Sequence, residues 1–102
     1  MPTRAMGLRS FQLSLTGAIQ QLSSTSIYAH SVEVYNDTAQ ETQYLGGSDV
    51  SSTLGRPIAT GASFSLPEVY TRGSNELYDL SSIYVIGTAA QTLRVIYATY
   101  IG

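Results

Sequence analysis

His30 is the sole histidine of the chain, so acid–base chemistry by imidazole would have to begin there. A hydrolytic triad needs a nucleophile, a base and an orienting acid within mutual reach. Serine is plentiful, yet no Gly-x-Ser-x-Gly segment occurs that would expose one on a sharp turn. Ala29 and Ser31 flank His30 in a strand-like stretch, which makes it a sheet residue rather than a base. Five of the seven carboxylates fall into two local groups, Asp37 with Glu41 and Glu68 with Glu76 and Asp79. A glycosidase holds two such groups on either side of one bond. Here they fall at the ends of segments, where a carboxylate is ordinarily solvated. Asp49 has no second acid at the alternating spacing of a calcium loop. Its expected role is to accept backbone N–H bonds within its own turn. With no cysteine and one histidine, thiol and zinc chemistry are excluded within one chain. No catalytic residue, metal site or cofactor is expected, and the chain reads as a non-enzyme.

Eight tyrosines stand against two phenylalanines and no tryptophan. Tyrosine gives contact area at low entropic cost, so it is common at interfaces as well as along strands. Tyr97, Tyr100 and Ile101 gather near the C-terminus and are candidate self-association contacts. Asn36-Asp37-Thr38 fits a glycosylation sequon and reads here as a turn.

The elements that would position these residues are strands. Residues 10–16 alternate apolar and polar until Gly17. Residues 18–26 are ambiguous between a short helical turn and a loop. Residues 27–35 form a second strand rich in β-branched and aromatic types, with a bulge expected to shift its phase between Ile27 and Val32. Residues 42–46 give a third. Pro57 and Ile58 suit a brief edge segment, where a missing N–H does little harm. Residues 61–67 alternate again, and residues 72–75 read as a turn. Residues 82–86 and 93–98 flank a five-residue connection suited to a β-hairpin. The fold expected is all-β: an antiparallel β-sandwich or jelly roll of seven or eight short strands, single-domain over residues 10–102. Its core should contain Phe11, Leu13, Leu15, Val34, Leu45, Phe64, Leu66, Tyr84, Ile86, Val95 and Tyr97. Residues 1–9 have no apolar period and read as an N-terminal arm. Arg4 and Arg9 on it are candidate contacts, since guanidinium binds carboxylates in bidentate fashion.

Composition narrows the partners. The chain has 102 residues, enough for one core. Charged residues are 12%, about half the usual share of roughly 25%. Fourteen serines and eleven threonines therefore solvate much of the surface. Such a surface suits a chain packed against neighbours. The five arginines are scattered, lysine is absent and the net charge is -2, which excludes a phosphate-neutralising face and hence nucleic acid. No segment has the apolar run of a signal peptide or a membrane span. Synthesis in a cytoplasm and no membrane partner are the expectations.

Across its centre the chain reads Val32-x-Val34-x-Asn36, then Tyr44-Leu45-Gly46-Gly47-Ser48-Asp49-Val50, then Gly55-Arg56-Pro57-Ile58, Gly61-x-Ser63-Phe64-x-Leu66, Leu80-x-x-Ile83-Tyr84-Val85-Ile86 and Leu93-Arg94-Val95. This order resembles small virion β-sandwich proteins of tailed bacteriophages, of the capsid decoration (cement) or head-fibre type. It covers about two thirds of the chain and leaves the part before Ile27 outside. Ile58 stands where leucine is common. The turn residues Gly46, Gly47, Ser48, Asp49, Gly55, Pro57 and Gly61 carry the motif. Gly46 and Gly47 are expected to supply positive φ, and Pro57 a fixed one. The resemblance implies a homotrimer on the capsid exterior, with the major capsid protein as partner, cementing adjacent subunits after synthesis in the host cytoplasm. The alternative it implies is a head- or tail-fibre module that binds a receptor or carbohydrate.

Overall fold

The computed structural model describes residues 5–67 and 77–100, the last by its backbone alone. Ten strands follow in order: β1 (Met6–Ser14), β2 (Gln20–Gln21), β3 (Tyr28–Ala29), β4 (Ser31–Tyr35), β5 (Gln43–Gly46), β6 (Arg56–Ile58), β7 (Ser63–Leu66), β8 (Tyr78–Asp79), β9 (Tyr84–Ile86) and β10 (Thr92–Tyr100). A 3₁₀ turn, Leu80–Ser82, separates β8 from β9. All pairings are antiparallel. The first sheet has the order β1-β10-β4-β7, the second β2-β9-β5-β6, and β3 pairs with β8 alone. Leaving that small ribbon aside, every connection except β5 to β6 passes from one sheet to the other. This is the jelly-roll arrangement expected from the spacing of the strands.

Alternation places the core between the sheets. Across the first sheet one inward row is Phe11, Val95, Val34 and Phe64, and the next contains Tyr97, Val32 and Leu66. Leu45 and Val85 face each other from β5 and β9 of the second sheet and are both buried. Leu15, Leu22, Ile58, Leu80 and Leu93 complete a continuous buried cluster. Each such aliphatic side chain removed from water contributes roughly 1.5–3 kcal/mol. The phase shift expected between Ile27 and Val32 is present. Ala29 and Val32, of opposite parity, are both buried, with the break at His30 between β3 and β4.

Four expectations are corrected. Tyr84 and Ile86 do not point into the core; Val85 does, with no exposure at all. β9 is an inner strand with partly covered side chains on its outer face too, so hydrophobicity alone does not fix its phase. The segment 82–98 is not a hairpin, because β9 pairs with β2 and β5 while β10 is held by β1 and β4. Its connection is instead tied to β1: Leu15 N–H donates to Gln91 C=O at 2.8 Å, and Ala90 N–H donates to Leu15 C=O at 3.0 Å. Residues 6–9 are not an arm. They extend β1, with Met6 opposite Tyr100 and Arg9 opposite Tyr97. The fourth concerns Gly46 and Gly47, neither of which has positive φ; Gly17 and Gly61 do, at 87° and 73°.

Candidate docking surface

The centre of the motif, residues 44–58, builds the β5–β6 pair and the loop between its strands. Its glycines are needed for space rather than for φ. A Cβ on Gly55 would lie 2.6 Å from Val50 Cγ2, 3.0 Å from Tyr44 Cβ and 3.1 Å from the Ser51 carbonyl oxygen. One on Gly46 would lie 3.1 Å from the same Val50 methyl. Val50, fully buried, thus sits in a hollow between two glycines and folds the loop back on the second sheet. The turn closes through Val50 N–H donating to Gly47 C=O at 3.0 Å. Ser48 and Asp49 are exposed at its tip. The side chain that accepts backbone N–H groups here is Ser51, from Thr53 and Leu54, not Asp49. Pro57 lies in β6, an edge strand, as its chemistry requires. Gly61 N–H donates to Asn36 C=O at 2.8 Å in a separate turn.

Outside the sheet, the loop and its neighbours frame a groove of about 850 Å³. Tyr44 and Ile86, opposite one another on β5 and β9, belong to its lining, with Gln40, Glu41, Ser51 and Thr88 around them. Behind it lies a polar network. Buried Asn36 donates its Nδ2 to the carbonyls of Glu41 and Ile58, both at 2.9 Å, and its Oδ1 accepts Gln40 Nε2. Gln40 also holds Thr92, accepting its N–H at 2.7 Å and donating to its carbonyl at 2.7 Å. Gln43 donates to the same carbonyl at 2.9 Å, but its buried Oε1 has no partner among the described residues.

The first sheet presents a different outer face. One row across it is Ser10, Ile96, Glu33 and Ser65; the next is Gln12, Arg94, Tyr35 and Ser63. Leu8 stands at the end nearest Ala98 and is 71% exposed. Two shallow cavities, of about 480 and 270 Å³, lie along these rows. The charges are few and partly satisfied: Arg94 Nε donates to Asp37 Oδ2 at 3.0 Å, and Ser65 Oγ donates to Glu33 Oε2 at 2.9 Å. Such exposed pairs contribute at most about 1 kcal/mol.

The candidate contacts divide sharply. Arg9 is exposed on β1. Tyr97 is not a surface contact: it is 7% exposed and meets Phe11 edge-on at 6.2 Å between ring centroids. Tyr100 ends β10 opposite Met6. Arg4 and Ile101 lie outside the described residues, as do Glu68, Glu76 and the turn at 72–75. The acids that are described do not converge. Asp37 holds Arg94, Glu41 accepts the Thr88 hydroxyl at 2.8 Å, and Asp79 caps the 3₁₀ turn through Ser81. Among the described residues no three histidine or acidic side chains gather as metal ligands. His30 lies in the bend between β3 and β4, and its N–H donates to Ala98 C=O at 2.8 Å. Leu8, Tyr35, Arg94 and Ile96 were not singled out from the sequence as surface residues. The signal available for Ile96 was its parity with Arg94 in a strand whose inward set is Leu93, Val95 and Tyr97.

No family model matches the chain, and no curated protein matches it. Among solved structures it is similar to a chain from Bacillus endospore appendages, described as a family of disulfide-linked pili. The likeness has a TM-score of 0.47 at 15% identity, over 98% of this chain and 90% of that one.

Proposed function

We propose that this chain is a non-enzymatic structural protein that lies on the outside of a virion capsid and cements adjacent capsid subunits. The observation that carries the reading is the outer face of the first sheet. It is broad, hydroxyl-rich and lightly charged, with Leu8 and Ile96 set among serines, and it fits a neighbouring protein surface rather than a small substrate. Arg9 is exposed, but opposite Tyr97 it projects from the other side of β1 and does not belong to this face. The virion setting comes from the motif resemblance. The test is to add purified protein to capsids lacking it and measure bound copies by quantitative mass spectrometry. Saturation near the copy number of the major capsid protein, weakened several-fold by Ile96→Asp, is the expected result. Absence of capsid binding overturns it.

The groove beside Tyr44 favours a second reading, a fibre module that binds a carbohydrate. A tyrosine ring with hydroxyl and amide groups around it matches the mixed apolar and polar faces of a sugar. Glycan-array binding that is lost in Tyr44→Ala, without capsid binding, would select it.

A further inference from the structure

β1 is the outermost strand of the first sheet, paired on one side only. The bonds at its end fix which backbone groups face outward. Leu15 turns both N–H and C=O toward the β10 side, to Gln91 and Ala90. Bonded positions alternate along an antiparallel ladder, so Leu13, Phe11, Arg9 and Gly7 do the same. Ser14, Gln12, Ser10, Leu8 and Met6 therefore direct theirs away from the sheet. The Ser14 carbonyl agrees, accepting Gln20 Nε2 at 3.0 Å. Gln20 closes the edge there, and its Oε1 also accepts the Thr16 N–H at 2.9 Å. Among the described residues Met6, Leu8, Ser10 and Gln12 remain as an open ladder.

The other edges are blunted. β7 has four residues and runs into Pro67, β6 has three including Pro57, and β2 has two. β1 has nine, in unbroken register with β10, with no proline and Arg9 as its only charge. A long, flat, lightly charged edge is a template for another strand.

We propose that this edge pairs with β1 of a second copy, antiparallel about a two-fold axis through Ser10. A two-fold contact needs one self-complementary surface, and among the described residues β1 is the one edge strand longer than four residues. The axis choice follows from charge. Centred on Arg9, the pair would set two guanidinium groups face to face. Centred on Ser10, it sets Ser10 opposite Ser10 and Leu8 opposite Gln12, so that open groups meet open groups. Each Arg9 then lies beside the partner's Phe11, whose ring face attracts a cation. Three facing pairs give about six backbone bonds, at two per pair. Two four-stranded sheets become one of eight strands. The contact makes a dimer, where the motif resemblance implied a trimer, and it forms without a capsid.

The test uses the absence of native cysteine. Facing Ser10 Cα atoms in a bonded pair would be about 5.5 Å apart, within disulfide range. The two Gln12 residues would be four positions apart along the strands, about 13 Å. Ser10→Cys should therefore cross-link as a dimer under mild oxidation, and Gln12→Cys should not. Ser10→Pro removes an outward N–H and none directed at β10. It should raise the dimer dissociation constant at least tenfold by analytical ultracentrifugation, with the monomer's circular dichroism unchanged. A chain that stays monomeric at millimolar concentration overturns the proposal. So does equal cross-linking of both cysteine variants, whether or not the proline variant folds.

Discussion

The hollow that receives Val50 makes Gly55→Ala an informative perturbation. An added Cβ would stand 2.6 Å from Val50 Cγ2, and backbone strain does not enter, because Gly55 lacks positive φ. Overpacking of this kind costs about 1–3 kcal/mol. At roughly 4–8 °C per kcal/mol for a domain near this size, a cost of about 2 kcal/mol lowers Tm by about 8–16 °C. Val50→Ala removes two buried methyl groups and should cost about 2 kcal/mol by itself. The double variant then separates space from every other explanation. With the Val50 methyl gone the main clash is relieved, although Tyr44 Cβ at 3.0 Å and the Ser51 oxygen at 3.1 Å remain. Its destabilisation should fall short of the sum of the single variants by about 1 kcal/mol or more. Gly47→Ala is the control, since its Cβ would meet only Asp49 Oδ1 at 3.5 Å, and it should change stability by less than about 0.5 kcal/mol. Urea denaturation with an unchanged m-value is the assay. A Gly55→Ala variant as stable as the parent, or strict additivity in the cycle, refutes the reasoning.

Three further outcomes rest on polar groups. Gln43→Met removes a buried oxygen without a partner while Gln40 still serves the Thr92 carbonyl, so urea melts should show stability unchanged or raised by up to about 1 kcal/mol. Asn36→Ala strips the partner from the carbonyls of Glu41 and Ile58 and should cost about 2–4 kcal/mol by the same measurement. The Asp79 carboxyl is held below its ordinary 3.8, first by the Ser81 hydroxyl and then by the Ser81 N–H. Its contribution is therefore complete above that value and lost as pH falls through the lower folded value. Thermal melts between about pH 2 and 5 should lose part of their slope in Asp79→Asn.

Strand composition and spacing carried the fold class. Strict alternation at Phe11, Leu13 and Leu15, and at Phe64 and Leu66, placed those side chains on the inward face where they are found. Alternation failed at β9, whose two faces are both largely covered. It also could not say which sheet a strand joins: a short connection between two strong strands looks like a hairpin whether or not the strands pair. The start of β1 was hidden because residues 6–9 gain order from pairing with residues 97–100, a partner ninety residues away in sequence. The motif glycines were visible, but their reason was not. The need for space at Gly55 exists only once Val50 has folded back upon it. The polar outer rows were likewise illegible, because they join residues of four separate strands.

The two sheets use their outer faces differently, and this bears on how a capsid and a second copy would share the molecule. The second sheet is roofed in part by its own loop, through Val50 between Gly46 and Gly55. The first keeps both an open face and an open edge, at Leu8 and along β1. Pairing through the edge takes place within the sheet plane, whereas docking on the face is normal to it. Antiparallel strands in one sheet are related by an axis perpendicular to that sheet, so both outer faces of the dimer would lie on the same side. The two contacts are then compatible, and one dimer presents two docking faces at once. The disulfide dimer of Ser10→Cys should bind capsids more tightly than the Ser10→Pro monomer, by the avidity of two linked sites. Copy number per capsid, counted in chains, should be no lower. If the cross-linked dimer fails to bind capsids that the monomer decorates, the edge and the face compete for one site, and this division of the first sheet is wrong.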